Sequence, residues 1–252
     1  MSSRTTLLGV HLAARDPERS RAFYTALGYQ PLPGAPNTLA LAWRPECRLV
    51  ITPATSGDPA PDFLSRGVLA IDFYTRDLDE AIATLTARGA TVWSGPVDYR
   101  FGAKPVRHAM LLGPDGERIG LMQVDRPAFA TWRGDTLFSE PGLCPIGAPP
   151  EALTFYTDLL GWQVASDTSL DSVPMRQLTK LPDSVSIRLV LLDTGGPSQP
   201  RLELLIPDLP LPPTKPGRGF LGFDDGSGHA GLYDPHTGIT YSIPQPRTAP
   251  AR

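Results

Sequence analysis

The chain has 252 residues, 41% hydrophobic and 19% charged, and 23 Lys+Arg against 26 Asp+Glu leave a net charge of −3. That length suits one large or two small domains with real cores. The balanced charge lacks the footprint of a nucleic-acid binder, and no apolar run approaches the roughly 20 residues of a membrane span.

The first segment, MSSRTTLLGVHLAARD, holds only a short apolar run broken by His11 and is no signal peptide, so a cytoplasmic protein is expected. LLGVHLAA reads as a strand. Asp16-Pro17-Glu18 then supplies an N-cap, a first-turn proline and an acid at the positive end of a helix that Gly28 stops. Three short strands are expected around Gln30–Leu32, in TLALAW and in CRLVIT. The unit then starts again: strand VLAIDFYT, a helix capped by Asp77 with Leu78, Ile82 and Leu85 on one face, a stop at Gly89, and strands TVWSGPV, VRHAMLLG and ERIGLMQV. The first half therefore reads βαβββ twice.

The pattern recurs. FYTALGYQ from Phe23 returns as FYTDLLGWQ from Phe155, and His108-Ala-Met-Leu returns as His229-Ala-Gly-Leu. PEALTFYTDLL is a helix closed by Gly161. GWQVA, MRQLTK, SIRLVLLD and RLELLIP are strand candidates. GFLGF leads straight into DDGSGHAGLYD with no room for a helix. Two tandem domains are expected, 1–126 and 135–245, the second with a last unit lacking its helix. The first strand of that second domain is expected to be broken by Pro141 and Pro145. Cys47 and Cys144 are too few for a disulfide framework and are read as buried thiols.

Asp-Pro-Glu-Arg-Ser-x-x-Phe-Tyr-x-x-Leu-Gly, with Gly-Pro-Asp-Gly-Glu-Arg-Ile before a closing strand, resembles the vicinal oxygen chelate superfamily: glyoxalase I, bleomycin-resistance proteins, extradiol dioxygenases and their kin. The resemblance implies an α+β fold of tandem βαβββ domains. It also implies a divalent metal held by residues on the first and last strands of each unit. In the first domain those positions fall on Gly9, Val50, Ala70 (or Val68) and Gly120. In the second they fall on Pro141, Glu203, Phe220 and Ser242. Only Glu203 keeps a ligand type, so no metal and no cofactor are expected.

His11 and Asp72 hold equivalent places in the two units of the first domain. In the family fold their strands sit side by side, which makes them the candidate catalytic acid–base pair. His108, Arg107, Trp43, Tyr74, Trp93, Tyr99 and Phe101 are the candidate substrate-binding residues. Arg107 could clamp an anion, though a solvated Arg–His edge is the plainer reading, and the aromatics could stack on a ring. Tyr99–Lys104 reads as a loop at the lip. Glu203 could face a second cavity or pair with Arg201 or Arg188 at the surface.

The expected function is metal-independent acid–base chemistry on a small cyclic or carbonyl-bearing molecule: isomerisation, cyclisation, elimination or epimerisation, with secondary metabolism as a fitting context. The alternative is a non-catalytic antibiotic- or intermediate-binding protein. A metal-dependent glyoxalase or dioxygenase comes third. The partner is a small molecule, not nucleic acid or membrane, and the protein is a monomer or homodimer. The working cleft is expected inside the first domain, closed by its own two halves.

Overall fold

The computed structural model describes residues 9–54, 68–125, 136–139, 141–146, 148, 150–159, 161–193, 201–209, 231–233 and 240–242. The expected helix-free last unit lies largely outside them, as does His229.

The first unit is β1 (Gly9–Ala14), α1 (Pro17–Ala26), β2 (Tyr29–Leu32), β3 (Ala35–Leu41) and β4 (Arg44–Pro53). It makes a four-stranded sheet in the order β1-β4-β3-β2. Asp16 caps α1 by accepting from the Arg19 N–H at 3.1 Å, and Gly28 leaves the helix at φ +94°, where a side chain would be strained.

The second unit is β5 (Val68–Thr75), α2 (Leu78–Thr86), β6 (Thr91–Phe101), β7 (Lys104–Leu112) and β8 (Arg118–Val124). The third is β9 (Gly142–Ile146), α3 (Ala152–Thr154) running into one π-helical turn (Phe155–Leu159), β10 (Gln163–Ser169), α4 (Val173–Thr179), β11 (Ile187–Asp193) and β12 (Arg201–Pro207). These two units share one sheet of eight strands, β10-β11-β12-β9-β5-β8-β7-β6. β13 (Gly231–Tyr233) and β14 (Thr240–Ser242) pair with each other.

The α+β fold of repeated βαβββ units is therefore as the sequence implies, but the partnership of the units is not. β5 pairs antiparallel with β9, with Asp72 opposite Gly142, so the second unit closes against the third rather than against the first. β1 pairs with β4. Pro145 does not break β9, because it stands opposite Leu69 in the β5–β9 ladder. The MRQLTK segment is helical, not extended. Ser172 accepts from the Met175 N–H at 3.4 Å and Pro174 sits in the first turn, a start signal that outweighs the strand-like apolar alternation.

Alternation along the eight strands gives the sheet two different faces. Ile71, Phe73, Ile119, Leu121, Leu143, Leu202 and Leu204 belong to the main core, together with α1 and α2 residues such as Phe23, Tyr24 and Leu85. The other face carries a smaller apolar cluster that includes Ala70, Met110, Cys144 and Leu205, covered by Met175 and Leu178 of α4. The Gly113–Glu117 turn fastens the first unit to the second. Asp115 accepts from the Arg15 N–H (2.8 Å) and the Ser20 hydroxyl (2.6 Å), and Glu117 accepts from the Tyr24 hydroxyl (3.0 Å).

Candidate functional site

The cavity opens on the second face of the eight-stranded sheet, where the sheet curls between β5–β8 and β10–β12. Its outer chamber, about 480 Å³, is lined by Tyr74, Tyr99, Phe101, Met122, Leu189 and Leu191, with Arg100 and Lys104 also contributing. An inner chamber of about 50 Å³ lies against Asp72, His108, Cys144 and Glu203, and Met175, Leu178 and Thr179 of α4 also line it. Tyr99, Met122, Leu170, Leu189 and Glu203 line both chambers, so the two adjoin.

Strand register explains why these side chains meet. Ala70, Asp72 and Tyr74 alternate along β5 on the cavity face, and Glu203 stands opposite Leu191 in the β11–β12 ladder. Asp72 also faces Gly120 across the β5–β8 ladder. A Cβ on Gly120 would lie 1.9 Å from Asp72 Oδ1, so the carboxylate occupies the room a side chain there would need. Asp72, Glu203 and His108 are 5, 6 and 6% exposed.

His108 Nδ1 lies 3.1 Å from the Tyr99 hydroxyl, and its Nε2 is buried with no hydrogen-bond partner among the described residues. Burial pushes His108 down to about 3, so the ring is neutral at physiological pH. Burial raises the Tyr99 phenol, and the nearby Tyr74, Glu203 and Asp72 add to the shift. Tyr99 therefore remains a hydrogen-bonding phenol rather than a phenolate.

Of the predicted substrate-binding residues, His108, Tyr74, Tyr99 and Phe101 line the cavity. Arg107 does not. It sits on the opposite side of β7 from His108, where its guanidinium donates to both Asp79 oxygens at 3.1 Å. The Arg–His edge is thus split, with Arg107 outside and His108 buried. Trp43 packs on the main core beside Gly28. Trp93 joins the smaller cluster, with the Arg118 and Lys180 cations over its ring. The expected lip loop is the end of the β6–β7 hairpin, turning at Gly102-Ala103.

The predicted His11/Asp72 pair is not brought together by strand pairing. His11 stands opposite Val50 in the four-stranded sheet, while β5 belongs to the eight-stranded one. The His11 side chain lies outside the described residues. Glu203, on β12 with β9 between it and β5, shares the inner chamber with Asp72, and it faces this cavity rather than a second one. The residues missed outright are those of α4. The N-cap and first-turn proline of Ser172-Val-Pro174 were the available signal.

On these units the positions that the resemblance assigns to metal ligands are Ala70 (or Val68), Gly120, Pro141 and Glu203, and Pro141 has no ligating side chain. Neither Ala70 nor Val68 can ligate through its side chain, and Asp72 fills the space in front of Gly120. Among the described residues no three His, Cys, Asp or Glu side chains converge as a metal site. The donor set does not fit the chelate.

Comparison with known proteins agrees with this architecture. Residues 6–121 match the model of the Glyoxalase/Bleomycin resistance protein/Dioxygenase superfamily. The chain is similar in structure to glyoxalase I from Zea mays, at 17% identity over 94% of this chain and 91% of the other, with a TM-score of 0.57. It is similar also to a proposed dioxygenase from Bacillus subtilis, at 12% identity over 96% and 86%, with a TM-score of 0.56. At these identities the likeness shows the fold. No curated protein sequence matches. No described helix is long and apolar enough to cross a membrane.

Proposed function

We propose that this chain, which belongs to the Glyoxalase/Bleomycin resistance protein/Dioxygenase superfamily, is an acid–base enzyme. Its substrate is a small, largely apolar molecule bound between the second and third βαβββ units. The observation that carries the reading is the pair of buried carboxylates, Asp72 and Glu203, lining one inner chamber beneath an aromatic outer one. A buried carboxylate in a water-poor pocket is a competent proton acceptor when substrate lies within hydrogen-bond reach.

In this reading one carboxylate removes a proton from the substrate. The conjugate acid returns it at another atom, so isomerisation, epimerisation, cyclisation or elimination proceeds without net oxidation. Tyr99 stays protonated and can donate to oxygen charge that develops as the proton leaves. His108 is too weakly basic to hold a proton and serves to orient Tyr99. Leu189, Leu191, Met122 and Phe101 keep water from the body of the substrate. Because the donor set does not fit the family chelate, no step is assigned to a metal.

The test uses metabolite extract incubated in D2O with the wild-type protein and with Asp72→Asn and Glu203→Gln. The acid–base reading expects one or more metabolites to be converted or to take up deuterium with wild type and not with either variant. A binder instead retains one metabolite unchanged and saturates at stoichiometric amounts, and that result would overturn the reading.

A further inference from the structure

We propose that the inner chamber is a subsite for a primary ammonium group, so that the molecule bound here is an amine with an apolar body. The inference deepens the acid–base reading of the same cavity and rests on it. Two independent features of the chamber point the same way.

The first is its charge. Asp72 and Glu203 both line it, and among the described residues no lysine or arginine does. The basic residues of the cavity, Arg100 and Lys104, belong to the outer chamber at the exposed end of the β6–β7 hairpin. With two carboxylates at the floor, two cations at the rim and the buried Arg118 guanidinium lying over the Trp93 ring, the lining favours a ligand whose positive end points inward.

The second is the hydrogen-bonding chemistry of His108. Its ring lines this chamber, and its Nε2 is buried without a partner among the described residues. A neutral ring with its proton on Nδ1 donates to the Tyr99 oxygen and leaves the Nε2 lone pair as an acceptor. The Thr179 hydroxyl offers no donor, because it is spent on the Met175 carbonyl at 2.8 Å. The chamber thus presents two carboxylates and one imidazole nitrogen as acceptors, against the Tyr99 hydroxyl as a donor. A primary ammonium has three N–H donors and no acceptor.

A chamber of about 50 Å³ takes a group of that size but no ring. The Tyr99 ring lines both chambers and can receive the cation on its face. Asp72 lines the inner chamber alone and anchors the charge. Glu203 lines both, beside the first carbons of the ligand, where a base would act.

Three probes of matched body test this at pH 7.5 by calorimetry on the full chain: 4-phenylbutylammonium, 4-phenylbutan-1-ol and 4-phenylbutyltrimethylammonium. The ammonium should bind at least about tenfold more tightly than the other two, since one lacks charge and the other lacks N–H donors. That preference should vanish in Asp72→Asn and fall in Glu203→Gln, with thermal unfolding confirming that each variant folds. Nitrogen-15 spectra of wild type, which need no variant, should show His108 protonated at Nδ1 in the complex.

Equal or weaker binding of the ammonium, absence of binding at millimolar concentration, a preference that survives both variants, or a proton on Nε2 would each overturn the proposal. If the ammonium preference holds and no metabolite is converted in D2O, the acid–base reading falls alone. If conversion occurs without the preference, the ammonium subsite falls alone.

Discussion

Replacing Gly120 with alanine perturbs the carboxylate pair at its tightest contact. The new Cβ would lie 1.9 Å from Asp72 Oδ1 and 2.8 Å from Cγ. A Cβ keeps at least about 3 Å from other atoms, so the Asp72 carboxylate must retreat by about 1 Å or more. It can do so by turning its side chain within a packed site or by pushing β5 away from β8. Overpacking of this kind costs about 1–3 kcal/mol. For a chain of this size each kcal/mol lowers the melting temperature by about 2–4 °C. The cost should disappear when the clashing group is absent, so Gly120→Ala should cost less than about 0.5 kcal/mol in an Asp72→Ala background. Urea unfolding of the four members of this double-mutant cycle gives the coupling directly. Equal cost in both backgrounds would refute the contact, and with it the claim that Asp72 fills the family's ligand position.

The remaining predictions concern pH, the outer surface and the α4 cap. Glu117 is raised by burial to about 7 from 4.5, so the folded state holds its proton and this group's contribution to stability falls as pH rises from 4.5 through 7. His108 is lowered by burial to about 3 from 6.5, so its contribution is full above 6.5 and is lost as pH falls toward 3. The two slopes offset between pH 4.5 and 6.5. Glu117→Gln should therefore expose a loss of up to about 1.4 kcal/mol per pH unit on acidification, measured by urea unfolding, and an unchanged slope would contradict the burial argument. Arg107→Ala removes an exposed pair with Asp79 and should cost at most about 1 kcal/mol while leaving probe binding unchanged. A large loss of affinity would put Arg107 in the site after all. Ser172→Ala removes the cap of α4 and should cost about 0.5–2 kcal/mol. Weaker probe binding should accompany it, because Met175 and Leu178 roof the inner chamber.

The units themselves were legible because their signals are local. Asp16 and Asp77 cap helices, Gly28 and Gly89 follow their ends at positive φ, and Ala70-Ile71-Asp72-Phe73-Tyr74 alternates as a strand. An aspartate in an otherwise apolar strand points to a buried cleft, and Asp72 is buried. Which unit pairs with which was not legible, since β5 could offer the same edge and the same face to β1 or to β9. That choice depends on packing between distant segments and leaves no periodic trace. The same ambiguity reaches the site: pairing β5 with β1 sets His11 beside Asp72 and leaves Glu203, more than a hundred residues away, either to a second cavity or to a surface pair with Arg201 or Arg188. Arg107 and His108 illustrate a smaller failure. Adjacent residues on a strand face opposite ways, and the residue pair alone does not say which one is inside.

Steady-state turnover of the metabolite converted in extract tests the central claim most directly, comparing wild type with Glu203→Gln and His11→Ala. The account predicts that Glu203→Gln lowers turnover by roughly 10²–10⁴-fold while His11→Ala, on the other sheet, stays within a few-fold of wild type. Full activity in Glu203→Gln with loss of turnover in His11→Ala would contradict it and return the chemistry to the first unit.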